Sequence, residues 1–100
     1  MVNQPPEQDA EGTVSEHVNY SRPRRPYDDK IAQLIASRTP EGGRVLDIGC
    51  GVGHGLAATR ELRPDLCLIA TDRDLQCLEI VRQRAIASEI DSYESIEDLR

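Results

Sequence analysis

The amino-acid sequence predicts an α/β fold in which parallel strands alternate with helices. Three observations support this prediction. Helical and strand-like hydrophobic patterns alternate along residues 27–100, a glycine-rich segment joins the first strand to the next helix, and the second strand is apolar throughout. Strands separated by helices pair in parallel through right-handed crossovers. A continuous apolar strand is typical of a parallel sheet that is covered on both faces.

The composition limits the classes of protein to which the chain can belong. Its 100 residues are enough for one compact domain, and 12 Lys and Arg against 18 Asp and Glu give a net charge of −6. This acidic balance argues against nucleic-acid binding, which needs a basic face to displace counterions from phosphate. No apolar stretch has the length of a membrane span, and no apolar signal-peptide segment follows Met1.

The cysteines indicate the cellular setting. Cys50, Cys67 and Cys77 are odd in number and show no CxxC spacing. This pattern predicts neither a disulfide framework nor a metal site, and it favours a reducing, cytoplasmic environment.

The chain divides at about residue 26 into two regions. Residues 1–26 are predicted to form a disordered tail and a Pro/Arg-rich connector, because they hold few large apolar side chains to offset the entropy of ordering. Tyr20 and Tyr27 flank the basic part of the connector, and we expect them to anchor the first helix, with closure over a ligand as the alternative. Residues 27–100 contain the predicted folded part.

The first helix and strand are predicted on either side of a turn. Asp28 is a suitable N-cap for a helix that ends near Ser37. The apolar face of this helix is predicted to hold three residues at helical spacing: Ile31, Leu34 and Ile35. A PEGG turn at residues 40–43 then precedes a short strand over residues 44–48.

The remaining elements continue the alternation. A helix is predicted over residues 55–62, followed by the apolar strand over residues 67–71. Asp74 is a suitable N-cap for a longer helix. Five residues recur at helical spacing along that helix: Leu75, Leu78, Val81, Arg82 and Ala85. A weak third strand over residues 90–93 and a helical turn over residues 95–99 complete a Rossmann-like half-sheet.

The segment after the first strand carries the most specific pattern. Gly49, Gly51 and Gly53 alternate with other residues, and Asp47 lies two residues before the first of them. Glycine turns the chain sharply and lets its backbone approach a ligand closely. The helix that follows presents unpaired N–H groups and a partial positive charge. The dinucleotide fingerprint G-x-G-x-x-G differs, because in the register of Gly49 it needs glycine where His54 stands.

This D-x-G-x-G-x-G pattern resembles motif I of class I S-adenosylmethionine-dependent methyltransferases. Asp72 strengthens the resemblance, because it ends the second strand and lies 19 residues after Gly53. Rossmann-type sites place a ribose-binding acid at about that distance. The resemblance implies an S-adenosylmethionine cofactor, with Asp72 on the ribose and Arg73 beside the adenine. The full cofactor-binding set that it implies is Asp47, Gly49, Cys50, Gly51, Gly53, Asp72 and Arg73.

The resemblance also implies a sheet of seven strands, of which this chain supplies the first three in the order 3-2-1. Residues 27–100 are then expected to be the N-terminal half of a methyltransferase domain, truncated before strand four. Strand one would have an unpaired apolar edge over residues 45–48, where pairing with another chain is expected.

The function of the chain on its own stays open at this point. The resemblance assigns no catalytic residue and no methyl acceptor, and the 100-residue chain is not expected to be active alone. One alternative is a non-catalytic module that keeps a vestigial nucleotide site or completes the sheet of another protein. A second alternative is an NAD-binding half-domain of an oxidoreductase, against which the glycine spacing argues.

Overall fold

Three parallel strands form the centre of the fold. The computed structural model describes residues 20–99. The sheet has the order β1-β2-β3, with β1 at Arg44–Ile48, β2 at Cys67–Asp72 and β3 at Glu89–Ser92. Both pairs of neighbouring strands are parallel. This is the predicted 3-2-1 arrangement counted from the other edge, so the predicted α/β fold is confirmed.

Three α-helices accompany the strands in the described part of the chain. Helix α1 (Pro26–Arg38) precedes β1, α2 (His54–Leu62) joins β1 to β2, and α3 (Leu75–Arg84) joins β2 to β3. A short 3₁₀ helix, Ile96–Leu99, follows β3. The elements therefore occur in the predicted order, and apart from the start of α1 their bounds differ by at most two residues. The predicted disordered tail lies largely outside the described residues.

Helix α1 begins before its predicted N-cap. Pro26 occupies the first helical position, and the Arg25 backbone N–H donates to Asp28 Oδ2 at 2.8 Å. Proline suits this position because its missing N–H would have no partner inside the helix. Asp28, the third residue of the helix, thus accepts a hydrogen bond from the backbone N–H of the N-cap residue, as the acid of a capping box does. The prediction that Asp28 is the N-cap was wrong.

The buried faces of two helices differ from the predicted faces. In α1, Ala32 is fully buried whereas Leu34 is 44% exposed. In α3, Cys77 is 2% exposed whereas Leu75 is 68% exposed. Helix α1 packs against α2 and α3 packs against β2 and β3. These contacts set the rotation of each helix about its axis. The prediction that Leu34 lies on the apolar face of α1 was therefore wrong, and Leu75, the first residue of the helical pattern in α3, is exposed.

The hydrophobic core lies between the helices and one face of the sheet. Its fully buried members come from α2, β2, α3 and the loop before β2: Leu56, Leu66, Leu68, Ala70 and Val81. Val45 of β1 and Ile90 of β3 pack against this cluster from the same face. Because strand side chains alternate between faces, Leu46 and Ile48 point to the opposite face.

The opposite face of β1 is open in the described part of the chain. Leu46 is 47% exposed and Ile48 is 48% exposed. β1 is also the edge strand of the sheet, with β2 as its neighbour within residues 20–99. The sheet therefore has an apolar patch beside an unpaired edge. Among the described helices, none is long and apolar enough to cross a membrane.

Candidate functional site

The chain turns sharply between β1 and α2. Gly49, Gly51 and Gly53 have φ angles of +75°, +59° and +88°, which residues with a side chain rarely adopt. The N–H groups of Gly49 and Cys50 both donate to the Thr71 carbonyl oxygen at 2.9 Å. The glycine loop is therefore tied to the carboxyl end of β2, where Asp72 lies.

The three glycines have different surroundings. A Cβ atom on Gly49 or Gly51 would meet no other atom within 4 Å, so these two residues border open space. A Cβ atom on Gly53 would lie 3.0 Å from Ile86 Cδ1 and 3.1 Å from Val81 Cγ2. Gly49 and Gly51 therefore line an open cradle, whereas Gly53 allows the loop to pack closely on α3 and the segment after it.

The Asp72 carboxylate joins this cradle to the start of α3. Asp72 Oδ2 accepts a hydrogen bond from the Gly51 N–H at 2.8 Å, and Oδ1 accepts one from the Asp74 N–H at 2.8 Å. The two bonds fix the orientation of a half-buried carboxylate. Each carboxylate oxygen has a further lone pair, so Asp72 can also accept hydrogen bonds from a diol.

Asp47 brings a second carboxylate to the same edge of the sheet. Its side chain is half-buried, and no group within residues 20–99 donates a hydrogen bond to it. Burial raises the pKa of Asp47, and the negative charge of Asp72 raises it further. A cation or a hydrogen-bond donor placed beside Asp47 would satisfy this carboxylate.

Cys50 lies within the loop, but its side chain packs against the hydrophobic core. Burial raises the pKa of its thiol to about 12, and the charges of Asp47 and Asp72 contribute. The thiol is therefore protonated at neutral pH and is no nucleophile. Arg73 follows Asp72 directly and is exposed, with no hydrogen bond or ion pair among the described residues.

Helix α2 starts at the end of the glycine loop. Gly53 is its N-cap, and within the described chain no side chain caps the first N–H groups. The first intrahelical bond runs from the Ala57 N–H to the Gly53 carbonyl at 2.8 Å. The uncapped N–H groups carry the partial positive charge of the helix. The site thus combines two carboxylates with one helix N-terminus.

The structure brings residues to the site that the sequence did not place there. The Tyr20 hydroxyl donates to Asp74 Oδ2 at 2.6 Å, across 54 residues of sequence. His54 Nε2 lies 2.6 Å from the Arg22 carbonyl oxygen. No local pattern encodes such distant pairs. Tyr27, in contrast, is 70% exposed, so the prediction that it anchors the first helix was wrong.

Asp74 has the structural role that was predicted for it. Its Oδ1 accepts hydrogen bonds from the Gln76 N–H at 2.9 Å and the Cys77 N–H at 3.4 Å. Asp74 is therefore the N-cap of α3. Across the described residues, no group of three or more His, Cys, Asp and Glu side chains is arranged to hold a metal ion.

Comparison with known proteins adds three partial similarities, and no protein-family model matches the chain. It is 34% identical over 61 residues to the release factor glutamine methyltransferase of Neisseria gonorrhoeae, covering 61% of this chain and 22% of that protein. It is 36% identical over 66 residues to the tRNA (carboxymethyluridine(34)-5-O)-methyltransferase alkbh8 of Xenopus tropicalis, covering 66% of this chain and 10% of that protein. It is 35% identical over 66 residues to the carboxy-S-adenosyl-L-methionine synthase of Campylobacter lari, covering 64% of this chain and 28% of that protein.

These similarities bear on the family rather than on a particular reaction. Two of the relatives are named as methyltransferases, and the third is named for a derivative of S-adenosyl-L-methionine. The alignments span between 10% and 28% of the length of these relatives. These partial alignments show that the chain is similar in sequence to methyltransferases.

Proposed function

We propose that this chain carries the S-adenosylmethionine-binding part of a class I methyltransferase domain. The observation that supports it most directly is the hydrogen bond between the Gly51 N–H and Asp72 Oδ2. It joins the D-x-G-x-G-x-G loop to the acid expected to bind ribose. The sequence similarity to methyltransferases points in the same direction. In this proposal, residues 27–100 are the N-terminal half of the domain.

The charges of the site favour a cationic nucleoside. Asp47 and Asp72 lie at the carboxyl ends of β1 and β2, and the charge of Asp72 acts on Asp47. A ligand with a sulfonium and an amino group would place positive charge beside Asp47. A pyrophosphate would instead add negative charge to two carboxylates, which Coulomb repulsion disfavours. The site therefore fits S-adenosylmethionine better than NAD.

Each residue of the proposed site has a distinct role. Asp72 accepts hydrogen bonds from the ribose hydroxyls, and the open cradle at Gly49 and Gly51 lets the backbone approach the ligand. Asp47 faces the positive charge of the methionine portion. Cys50 and Gly53 hold the shape of the loop through their packing. In this proposal, Arg73, which is exposed directly after Asp72, lines the adenine ring.

The chemistry expected of such a site is the transfer of a methyl group. When bound, S-adenosylmethionine supplies an electrophilic methyl group on a sulfonium. The contribution of this chain is to bind and orient, and positioning accounts for much of the rate in such displacements. No residue is assigned as a general base. Three free thiols support our proposal of a cytoplasmic setting.

One observation favours a second candidate function. Leu46 and Ile48 expose an apolar patch beside an edge of β1 that pairs with no strand within residues 20–99. Such an edge accepts a further strand readily. A non-catalytic module that completes the sheet of a partner would use this edge, and its nucleotide site would then be vestigial.

Calorimetric titration with S-adenosylhomocysteine tests the proposal. We expect saturable binding by the wild-type chain and loss of at least tenfold in affinity for Asp72→Asn, because a hydrogen-bonding carboxylate is lost. Asp91→Asn is the matched control, since Asp91 is an exposed acid on the neighbouring strand β3. Circular dichroism establishes that each variant is folded.

The outcomes separate the candidate functions. Binding by the wild type and by Asp91→Asn, with loss in Asp72→Asn, supports the cofactor assignment. A folded wild-type chain that binds no S-adenosylhomocysteine contradicts it and favours the sheet-completing module. Stronger binding of NAD than of S-adenosylhomocysteine would favour the oxidoreductase half-domain.

A further inference from the structure

The last residue of α3 contacts the glycine loop on both sides of Gly53. Arg84 Nη1 donates to the Val52 carbonyl oxygen at 2.7 Å, and the same nitrogen lies 3.3 Å from His54 Nδ1. This guanidinium nitrogen carries two hydrogens, so it can serve both acceptors. We call this pair of contacts the clamp. The clamp holds the chain at the point where the glycine loop passes into α2.

The glycine loop depends on contacts of this kind for its shape. Glycine restricts its own backbone little, so the glycines on either side of Val52 leave the orientation of its carbonyl to hydrogen bonding. The N–H groups of residues 49–51 are held from β2, by the Thr71 carbonyl and the Asp72 carboxylate. The clamp holds the next part of the loop from α3. The loop is therefore fixed from two different elements.

The base of the clamp belongs to a packed helix. Val81, three residues before Arg84 in α3, is fully buried in the core. A Cβ atom on Gly53 would lie 3.1 Å from Val81 Cγ2 and 4.0 Å from Arg84 Nη1. The absent side chain of Gly53 therefore lets the loop lie directly against α3 and its guanidinium. The position of α3 is thereby passed on to the loop.

His54 takes part in the clamp as a neutral side chain. Arg84 can only donate, so His54 Nδ1 must accept. The ring hydrogen is therefore on Nε2, which donates it to the Arg22 carbonyl oxygen at 2.6 Å. A second proton, on Nδ1, would direct a donor and a positive charge at the Arg84 guanidinium.

Charged groups face His54 from each element packed around it. The pKa of Asp28 in α1 is lowered chiefly by Arg22 and in smaller part by His54, so this carboxylate lies within electrostatic reach of the imidazole. Arg22 donates to Asp28 at 3.0 Å and 3.1 Å, which leaves that pair with little net charge. Arg84 of α3 and the N-terminal partial charge of α2 are both positive. A proton on His54 Nδ1 would thus be repelled within the clamp itself.

We infer that Arg84 is a positioning residue for the cofactor site, and that its clamp holds the glycine loop only while His54 is neutral. This inference rests on the proposed function, because the loop held by the clamp is the proposed cofactor cradle. With His54 neutral, the loop keeps the shape in which Gly49 and Gly51 border open space. With His54 protonated, repulsion between two adjacent cations opens the clamp. Cofactor binding then weakens.

The first test removes the clamp with Arg84→Met, which keeps an unbranched stem and deletes both contacts. We expect calorimetric titration with S-adenosylhomocysteine to show about tenfold lower affinity than in the wild type, because charge-assisted hydrogen bonds to the loop are lost. Arg82→Met is the matched control. It makes the same change of charge in the same last turn of α3, and Arg82 pairs with Glu79 outside the clamp. Its affinity should be unchanged, and circular dichroism establishes that each variant is folded.

The second test is the pH dependence of binding. Histidine side chains ordinarily change charge between about pH 5 and 8. His54→Asn keeps an acceptor close to the position of Nδ1 and cannot gain a proton in this range. On lowering the pH across this range, we expect the wild type to lose several-fold more affinity for S-adenosylhomocysteine than His54→Asn loses. Protonation of Asp47, whose pKa is raised by burial, affects both proteins alike, so the difference reports His54.

The third measurement needs no ligand. Nitrogen-15 NMR distinguishes a ring nitrogen that carries hydrogen from one that does not, and His54→Asn identifies the signals of His54. At neutral pH we expect a hydrogen on Nε2 and none on Nδ1 in the wild type and in Arg82→Met. Arg84→Met should lose this single tautomer, because the donor to Nδ1 is gone. A role of Arg84 in stability alone would not move these signals.

The measurements separate failure of the clamp from failure of the proposed function. Weaker binding and loss of the single tautomer in Arg84→Met, with the steeper pH dependence in the wild type, support the clamp. A wild type that binds S-adenosylhomocysteine, with equal affinity in Arg84→Met or equal pH dependence in His54→Asn, overturns the inference and leaves the proposed function intact. If Arg84→Met does not fold, the comparison with His54→Asn decides. Absence of binding by the folded wild type overturns the proposed function, and the role of Arg84 in cofactor binding with it.

Discussion

Asp72 and Gly51 are joined by a hydrogen bond of 2.8 Å although they lie 21 residues apart in the sequence. The bond connects the end of β2 to the loop that follows β1. It gives the glycine loop a fixed position relative to the adjacent strand. It also means that Asp72 contributes to the structure of the loop before any ligand binds.

Removal of the Asp72 carboxylate should therefore loosen the loop in the ligand-free protein. We expect Asp72→Ala to lower the free energy of unfolding by about 1–3 kcal/mol, since two backbone N–H groups lose their acceptor. Amide hydrogen exchange at Gly51 should accelerate in parallel. Unchanged exchange at Gly51 would show that water replaces the carboxylate without loss.

Alanine substitutions at the loop glycines should have graded effects. At Gly51 the φ of +59° is the main obstacle, which costs about 1–2 kcal/mol for a residue with a Cβ atom. At Gly53 the Cβ atom would also press on Val81 Cγ2 at 3.1 Å, and overpacking adds about 1–3 kcal/mol. Urea unfolding should thus rank Gly53→Ala below Gly51→Ala in stability.

Gly55→Ala is a control with the opposite sign. Gly55 lies within helix α2, and a Cβ atom there would meet no other atom within 4 Å. Alanine is favoured over glycine in a helix by about 0.5–1 kcal/mol. A Cβ atom meets no other atom within 4 Å at Gly51 either, so a stabilised Gly55→Ala variant beside a destabilised Gly51→Ala variant would establish that backbone conformation decides the outcome at these two positions.

The pair of Arg22 and Asp28 should make stability depend on pH. The Arg22 guanidinium, with help from the Arg25 N–H, holds the pKa of the Asp28 carboxyl below its ordinary value. The stabilisation is therefore complete above the ordinary pKa of about 4, and it is lost as the pH falls through the lowered native pKa. In Asp28→Asn, the part of the decrease in unfolding free energy at low pH that comes from protonation of this carboxyl should be absent. Unfolding free energies measured from pH 2 to pH 7 check this, with Asp91→Asn as the control.

Arg60 should be important for stability because of its backbone contacts. It donates to the Ile86 carbonyl at 3.1 Å, the Pro64 carbonyl at 3.0 Å and the Leu66 carbonyl at 2.7 Å. We expect Arg60→Met to cost about 2–4 kcal/mol, as several charge-assisted hydrogen bonds are lost. Arg82→Met should cost less than about 1 kcal/mol, because Arg82 forms an exposed ion pair with Glu79. Equal losses of unfolding free energy in Arg60→Met and Arg82→Met, measured by thermal unfolding, would contradict this prediction.

The edge of β1 should control self-association. Leu46 is 47% exposed, so Leu46→Lys should change the free energy of unfolding by less than about 1 kcal/mol. A lysine beside an open edge discourages strand pairing. Sedimentation measurements should therefore show less association for Leu46→Lys than for the wild type. Strong exchange protection of the amides of residues 45–48 in a monomeric wild-type sample would contradict an unpaired edge.

Features that depend on neighbouring residues were predictable from the sequence. The alternation of strands and helices follows from local hydrophobic periodicity. The glycine loop was predictable because positive φ angles favour glycine, and all three of its alternating glycines have them. The N-cap role of Asp74 was also predictable, because an N-cap side chain bonds to N–H groups only two and three residues away in the sequence.

The tertiary structure decided the features that join distant parts of the chain. Leu34 and Leu75 are exposed because packing against α2 and against the sheet sets the rotation of each helix. Local periodicity cannot choose between adjacent apolar residues at the margin of a helix face. The bond from Tyr20 to Asp74 spans 54 residues, so it leaves no periodic signature. The sequence by itself thus determined the strands, the helices and the glycine loop, whereas tertiary packing determined which distant side chains meet at the carboxyl edge of the sheet.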